Sequence, residues 1–180
     1  SSGTGQKGIE ELERQVRDLF NGRDPENKTY PYRIAFNCLP HIDVFLENDY
    51  TKEEMKMYYE TRKILHSDVK TSASCVRVPS LRSHSENIWI ETEAPVSVEA
   101  VRSALSTAPG ITLVDDPAHG RYPMPLESAG RDDVYVGRIR QDLADPCGLT
   151  LWLTGDQIRK GAALNAVQIA EYLIKVGQLK

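Results

Sequence analysis

The chain has 180 residues, 40% of them hydrophobic and 27% charged, with a net charge of -4. That composition suits one soluble globular domain with a core of useful size. It excludes two classes: no run of Lys or Arg offers a nucleic-acid face, and no apolar run approaches the ~18 residues that span a bilayer.

Residues 1–8 read as a glycine-rich loop. "GTGQKG" (Gly3 to Gly8) matches G-x-G-x-x-G, but a dinucleotide fingerprint needs a strand before it and an acidic residue closing a second strand. Here no strand precedes it and Asp24 sits in a turn. Ile9, Leu12, Val16, Leu19 and Phe20 then recur at helical spacing. "NGRDPENKTYP" ends that helix, and residues 32–37 predict a buried strand.

Thr51-x-x-Glu54 is a capping box opening a helix to about His66. Glu53 and Lys56 share one face of it, as a solvated ion pair or as anchors for an ammonium and an anion. Residues 71–78 predict a strand ended by Pro79, and "NIWIETE" (87–93) predicts another. Ser97 caps a helix through Leu105. "ITLVDD", "VYVGRIR" and "LTLWLT" predict three further strands. Asp156 reads as the N-cap of a closing helix with an Ala163, Val167, Ala170 and Ile174 stripe. Short links between strands require a mixed, largely antiparallel sheet with helices on one face, an α+β fold.

The chemistry concentrates in "CVRVPSLRSHSE" (Cys75 to Glu86). Arg77 is a natural bidentate carboxylate clamp, and His84 a natural proton shuttle. A strand–loop–strand would bring both to one end of a sheet. Arg82 is a third cation there, and all three could equally be surface residues around a loop. His41, His66 and His119 read as surface or satisfied core residues. Cys38, Cys75 and Cys147 form no C-x-x-C pair, so neither a zinc site nor a disulfide framework is indicated, and free thiols fit a cytoplasmic setting. Cys75, beside apolar neighbours, reads as a buried structural thiol rather than a nucleophile. The residues supply an acid/base and anion clamps but no nucleophile.

Taken together, "CVRVPSLRSHSE", "YTKEEMKMYYETRKIL", "VGRIRQD" and "GDQIRKGAALNAVQIAE" resemble the C-terminal domain of the aspartate-β-semialdehyde dehydrogenases. The resemblance spans essentially the whole chain and implies a glyceraldehyde-3-phosphate-dehydrogenase-like C-terminal fold. It implies conversion of aspartyl phosphate to aspartate semialdehyde with NADPH, on the route to lysine, methionine, threonine and diaminopimelate. Arg77 then matches the arginine for the substrate carboxylate, His84 the acid/base, Glu53 the acid for the substrate amine and Lys56 the lysine for phosphate. Ser2 and Gly3 match a pair contacting the nicotinamide end of NADP, Gln157 another cofactor position, and Asn165 a nearby candidate. The family's nucleophilic cysteine lies in an N-terminal Rossmann domain, and its catalytic glutamine would fall upstream of Ser1. The resemblance therefore implies a single catalytic and dimerisation domain over 1–180, a homodimer, and a closing helix that packs on the cofactor domain. Two alternatives stand beside it: an N-acetyl-glutamyl-phosphate reductase, which has no free amine for Glu53 to hold, and an inactive paralogue kept for dimerisation.

Overall fold

The computed structural model describes residues 2–179, with Ser2 described in its backbone alone. Contacts divide the chain into two compact units, Ser1–Leu81 and Arg82–Lys180.

The first unit is built on α1 (Gln6–Phe20), which starts within the expected loop. Leu12 joins Tyr30, Ile34, Ala35 and Leu39 in a small core, with Val16 and Leu19 packed against it. Hydrophobic periodicity conceals two buried polar residues on the same helix, Glu11 and Gln15. A buried polar group must be hydrogen-bonded, and both are. The Glu11 carboxylate accepts the amides of Lys28, Thr29 and Tyr30. The Gln15 carbonyl oxygen accepts those of Ile34 and Ala35 at 2.9 and 3.1 Å, and its NH2 donates to Asn27 Oδ1 at 3.1 Å. Residues 26–35 thus hang on α1. Residues 32–37 are consequently not the strand that their apolar pattern predicts. Ile34 and Ala35 are fully buried, yet their amides bond a side chain instead of a neighbouring strand.

Helix α2 (Lys52–Leu65) carries the predicted capping box. Thr51 Oγ1 accepts from the Glu54 amide, and Glu54 Oε2 accepts from the Thr51 amide at 2.8 Å. Glu54 Oε1 also accepts from the Cys75 amide at 2.9 Å. Segment 71–78 is therefore an extended strap held at separate points. It forms no strand beyond one antiparallel bridge, in which Arg77 and Leu39 exchange backbone bonds of 2.8 and 2.9 Å. Cys75 is half-buried, so the expectation of a buried thiol on a strand is corrected in both respects.

The second unit holds β1 (His84–Glu91), α3 (Val98–Ser106), β2 (Ile111–Leu113), the short α4 (Pro125–Ser128), β3 (Val134–Gln141), β4 (Gly148–Gly155) and α5 (Leu164–Lys175). The sheet runs β1-β4-β3-β2, parallel only between β2 and β3, which is the mixed, largely antiparallel sheet expected. Val136, Ile139 and Leu151 form its core, and Val98, Val101 and Leu105 of α3 pack on it. Ser97 caps α3 by accepting from the Ala100 amide at 3.1 Å. A register shift after Gly137 bends β3, with Arg138 at φ 54°. Gly137 is required there, because a Cβ would stand 2.0 Å from the Val114 carbonyl oxygen.

Asp156 does not cap the closing helix as the sequence suggests, since α5 begins eight residues later, at Leu164. Its side chain is instead fully buried. It accepts both oxygens' worth of bonds from Arg82 Nε (3.2 and 3.0 Å), an ion pair from Arg82 Nη2 (3.0 Å), and the amides of Gly130 (2.7 Å) and Ile158 (3.0 Å). Burial pushes its carboxyl up, but Arg82 and the two amides outweigh burial and hold it below its ordinary value. Its stabilisation is therefore complete above about pH 4, the unfolded carboxylate range, and is lost as pH falls through the lower folded value. Arg82→Leu, which leaves this carboxylate buried without its cation, should destabilise the protein by about 3 kcal/mol. Denaturant titration at pH 7 measures this, and the deficit should shrink in acid.

Candidate functional site

In the first unit, a recess of about 210 Å³ is lined by Thr4, Tyr30, Leu39, His41, Asp43 and Arg77, among others. That size suits a small metabolite rather than a dinucleotide. The strap bridge to Leu39 fixes the Arg77 backbone, and the guanidinium carbon lies 5.1 Å from the Tyr30 ring centroid. The Arg77 side chain has no hydrogen bond or ion pair among the described residues, so its planar fork is available to an anion. Arg82, five residues on, has its fork engaged by Asp156. One sequence motif thus contains two arginines with different fates.

Glu53 and Lys56 lie on α2, with Lys56 Nζ 3.1 Å from Glu53 Oε2. The hydrogen bond that Lys56 donates to the Glu53 carboxylate raises the Lys56 pKa, burial opposes it, and the negative charges of Glu53, Glu60 and Asp43 add to the rise. Lys56 is therefore a permanent cation at neutral pH. Asp43 both lines the Arg77 recess and acts on Lys56, so it connects the two groups of residues electrostatically. The sequence reading missed Asp43. It lies in an irregular stretch with a left-handed backbone, φ 69°, where no periodicity marks it. His41, read as a bystander, also lines the recess and stacks on Phe45 with ring centroids 4.4 Å apart.

His84 opens β1 in the second unit, paired across the sheet with Gly155. Its ring is exposed, but the residues around it are anchored. Arg82 is clamped on Asp156, which directly follows Gly155. Ser83 is buried with φ 72°, and its Oγ accepts from Ser128 Oγ at 3.1 Å. A non-glycine residue in this region stores strain of roughly 1–3 kcal/mol, which the surrounding bonds must hold. The predicted strand carrying Arg77 does not exist, so Arg77 and His84 are not two ends of one strand–loop–strand. They belong to different units.

Of the cofactor candidates, Gly3 is exposed in a turn of 3-10 helix at Ser2–Thr4, and the Ser2 side chain lies outside the described residues. Asn165 is half-buried in the first turn of α5. Gln157 is the most informative. Both its Nε2 and Oε1 are buried without a hydrogen-bond partner among the described residues. Leaving such a group unsatisfied costs about 1–3 kcal/mol, so this carboxamide suits a ligand offering both a donor and an acceptor. Among the described residues no cluster of His, Cys, Asp and Glu could hold a metal ion, and no helix is long and apolar enough to cross a membrane.

Residues 1–160 match the family model described as semialdehyde dehydrogenase, dimerisation domain. An aspartate-semialdehyde dehydrogenase of Aquifex aeolicus is 53% identical over 98% of this chain and 52% of that protein. One from Legionella pneumophila is 52% identical over 99% of this chain and 52% of that protein. The chain thus spans about half the length of the curated relatives it matches. Among solved structures, aspartate semialdehyde dehydrogenase II of Vibrio cholerae complexed with ASA superposes with a TM-score of 0.92 at 44% identity, over 97% of this chain and 52% of that one. The Candida albicans enzyme with NADP superposes at 0.59 with 29% identity, over 78% of this chain and 45% of that one. On these grounds the chain belongs to the semialdehyde dehydrogenase dimerisation-domain family.

Proposed function

We propose that this chain is the substrate-binding and subunit-pairing part of an NADP-dependent aspartate-semialdehyde dehydrogenase. The reaction is aspartyl phosphate plus NADPH and a proton giving aspartate semialdehyde, phosphate and NADP, through a thioester on a cysteine outside these residues. The observation that carries the reading is the uncommitted Arg77 guanidinium in a metabolite-sized recess. Arg77 grips the substrate carboxylate with two parallel N–H bonds. Glu53 holds the ammonium and Lys56 the phosphate, each released by the ligand from its present pairing with the other. His84 exchanges the proton as the tetrahedral centre forms and collapses. NADPH would supply the hydride, and the residues that would contact it are Ser2 and Gly3 in the first unit and Gln157, with Asn165, in the second.

The same reading makes the protein a two-fold homodimer through this domain. It acts in the cytoplasm, in synthesis of lysine, methionine, threonine and diaminopimelate, and three free thiols accord with that compartment. The ASA of the Vibrio cholerae complex and the NADP of the Candida albicans structure support the substrate and the cofactor.

The test is NADPH formation by the full-length protein given phosphate, NADP and either aspartate semialdehyde or N-acetylglutamate semialdehyde. Aspartate semialdehyde should be favoured at least about 10²-fold in kcat/KM, because the acetylated substrate leaves the Glu53 carboxylate without its ammonium. The reverse preference would make this an N-acetyl-glutamyl-phosphate reductase, and no turnover with either would make it an inactive paralogue.

A further inference from the structure

We infer that Tyr30 is a positioning residue for substrate recognition, acting through Arg77. This rests on the proposed role of Arg77 as the carboxylate clamp. An arginine in a binding recess needs something to hold its guanidinium in one plane. A carboxylate would do so, but by occupying the N–H fork, as Asp156 occupies that of Arg82. An aromatic face holds the cation from below and leaves the in-plane N–H donors for the ligand. Tyr30 provides such a face. Its ring centroid lies 5.1 Å from the Arg77 guanidinium carbon, and both residues line the same recess.

Tyr30 is itself held from three sides. Its side chain sits in the small core with Leu12, Ile34 and Leu39, and the residue is only 6% exposed. Its hydroxyl bonds Thr4 Oγ1 at 3.0 Å. Its amide donates to the buried Glu11 carboxylate at 3.4 Å, beside the Lys28 and Thr29 amides that the same carboxylate accepts. Packing alone would need only an apolar side chain of this size. The recess-facing π surface is what a leucine would not supply.

The experiment is steady-state kinetics on the full-length protein with Tyr30→Leu, Tyr30→Phe, Arg77→Leu and the Tyr30→Leu/Arg77→Leu pair. Tyr30→Leu should raise KM for aspartate semialdehyde about five- to tenfold, with kcat within about twofold. Tyr30→Phe, which keeps the ring face, should recover most of that loss. In the Arg77→Leu background, Tyr30→Leu should add less than about twofold, because the group it positions has gone. Pentafluorophenylalanine at position 30 keeps the ring's shape while reversing its quadrupole, so it should raise KM relative to Tyr30→Phe by about threefold or more, and it decides the matter if Tyr30→Leu does not fold. Equal effects of Tyr30→Leu with and without Arg77, or no change on fluorination, would overturn the inference and leave Tyr30 a packing residue. An unchanged KM in Arg77→Leu would instead overturn the clamp reading beneath it.

Discussion

His84→Asn should lower kcat by about 10²–10⁴ while KM for aspartate semialdehyde changes little. Asparagine keeps a polar side chain of similar reach but has no group that titrates near neutrality, so it cannot take up and return a proton. The pH profile of kcat should lose the limb that belongs to the imidazole. The surroundings of His84 make this substitution informative. Arg82 on Asp156 and the strained, buried Ser83 fix the backbone before it, and the pairing with Gly155 fixes it from the side. Asparagine should leave those contacts in place, so a lost limb with an unchanged melting temperature identifies the proton step. A retained limb would place the acid/base elsewhere.

Arg77→Lys should raise KM for aspartate semialdehyde about ten- to hundredfold despite conserving charge. Lysine keeps one cation but loses the planar fork, which costs about 1.5–3 kcal/mol for a charge-assisted hydrogen bond. It also stacks less well on Tyr30. Steady-state kinetics in the full-length protein measure this, with Arg82→Lys as the contrast. Arg82 spends its fork on Asp156, so Arg82→Lys should change denaturant stability more than KM. The two arginines stand five residues apart in one motif, and opposite outcomes would confirm their different fates.

The contrast between those arginines also marks where sequence reasoning worked and where it could not. The capping box at Thr51 and Glu54, the Ser97 cap and the strands read at 87–93, 134–140 and 149–154 were legible because each depends on local spacing, although the first strand starts three residues earlier, at His84, and ends at Glu91. Segments 32–37 and 71–78 looked like strands because they are short runs with apolar or β-branched residues. What decides their structure is remote: the Gln15 carboxamide takes the Ile34 and Ala35 amides, and the Glu54 carboxylate takes that of Cys75. Nothing in either segment signals a side-chain partner 19 to 21 residues away. Asp156 had the spacing of a helix cap, but the 74-residue separation from Arg82 hid its actual use. Arg77, His84, Glu53 and Lys56 were singled out as candidates through motif resemblance together with their chemistry. Tyr30 and Asp43 were missed because turn-rich stretches carry no periodic pattern against which an inward-facing residue stands out.

The central claim is that Arg77 receives the substrate carboxylate, and the most direct measurement is a crystal structure of the full-length protein with aspartate semialdehyde bound. The account predicts the carboxylate oxygens at about 2.7–2.9 Å from two guanidinium nitrogens of Arg77, with the Tyr30 ring still beneath the guanidinium. A substrate carboxylate held by other residues, with the Arg77 fork left to solvent, would contradict it.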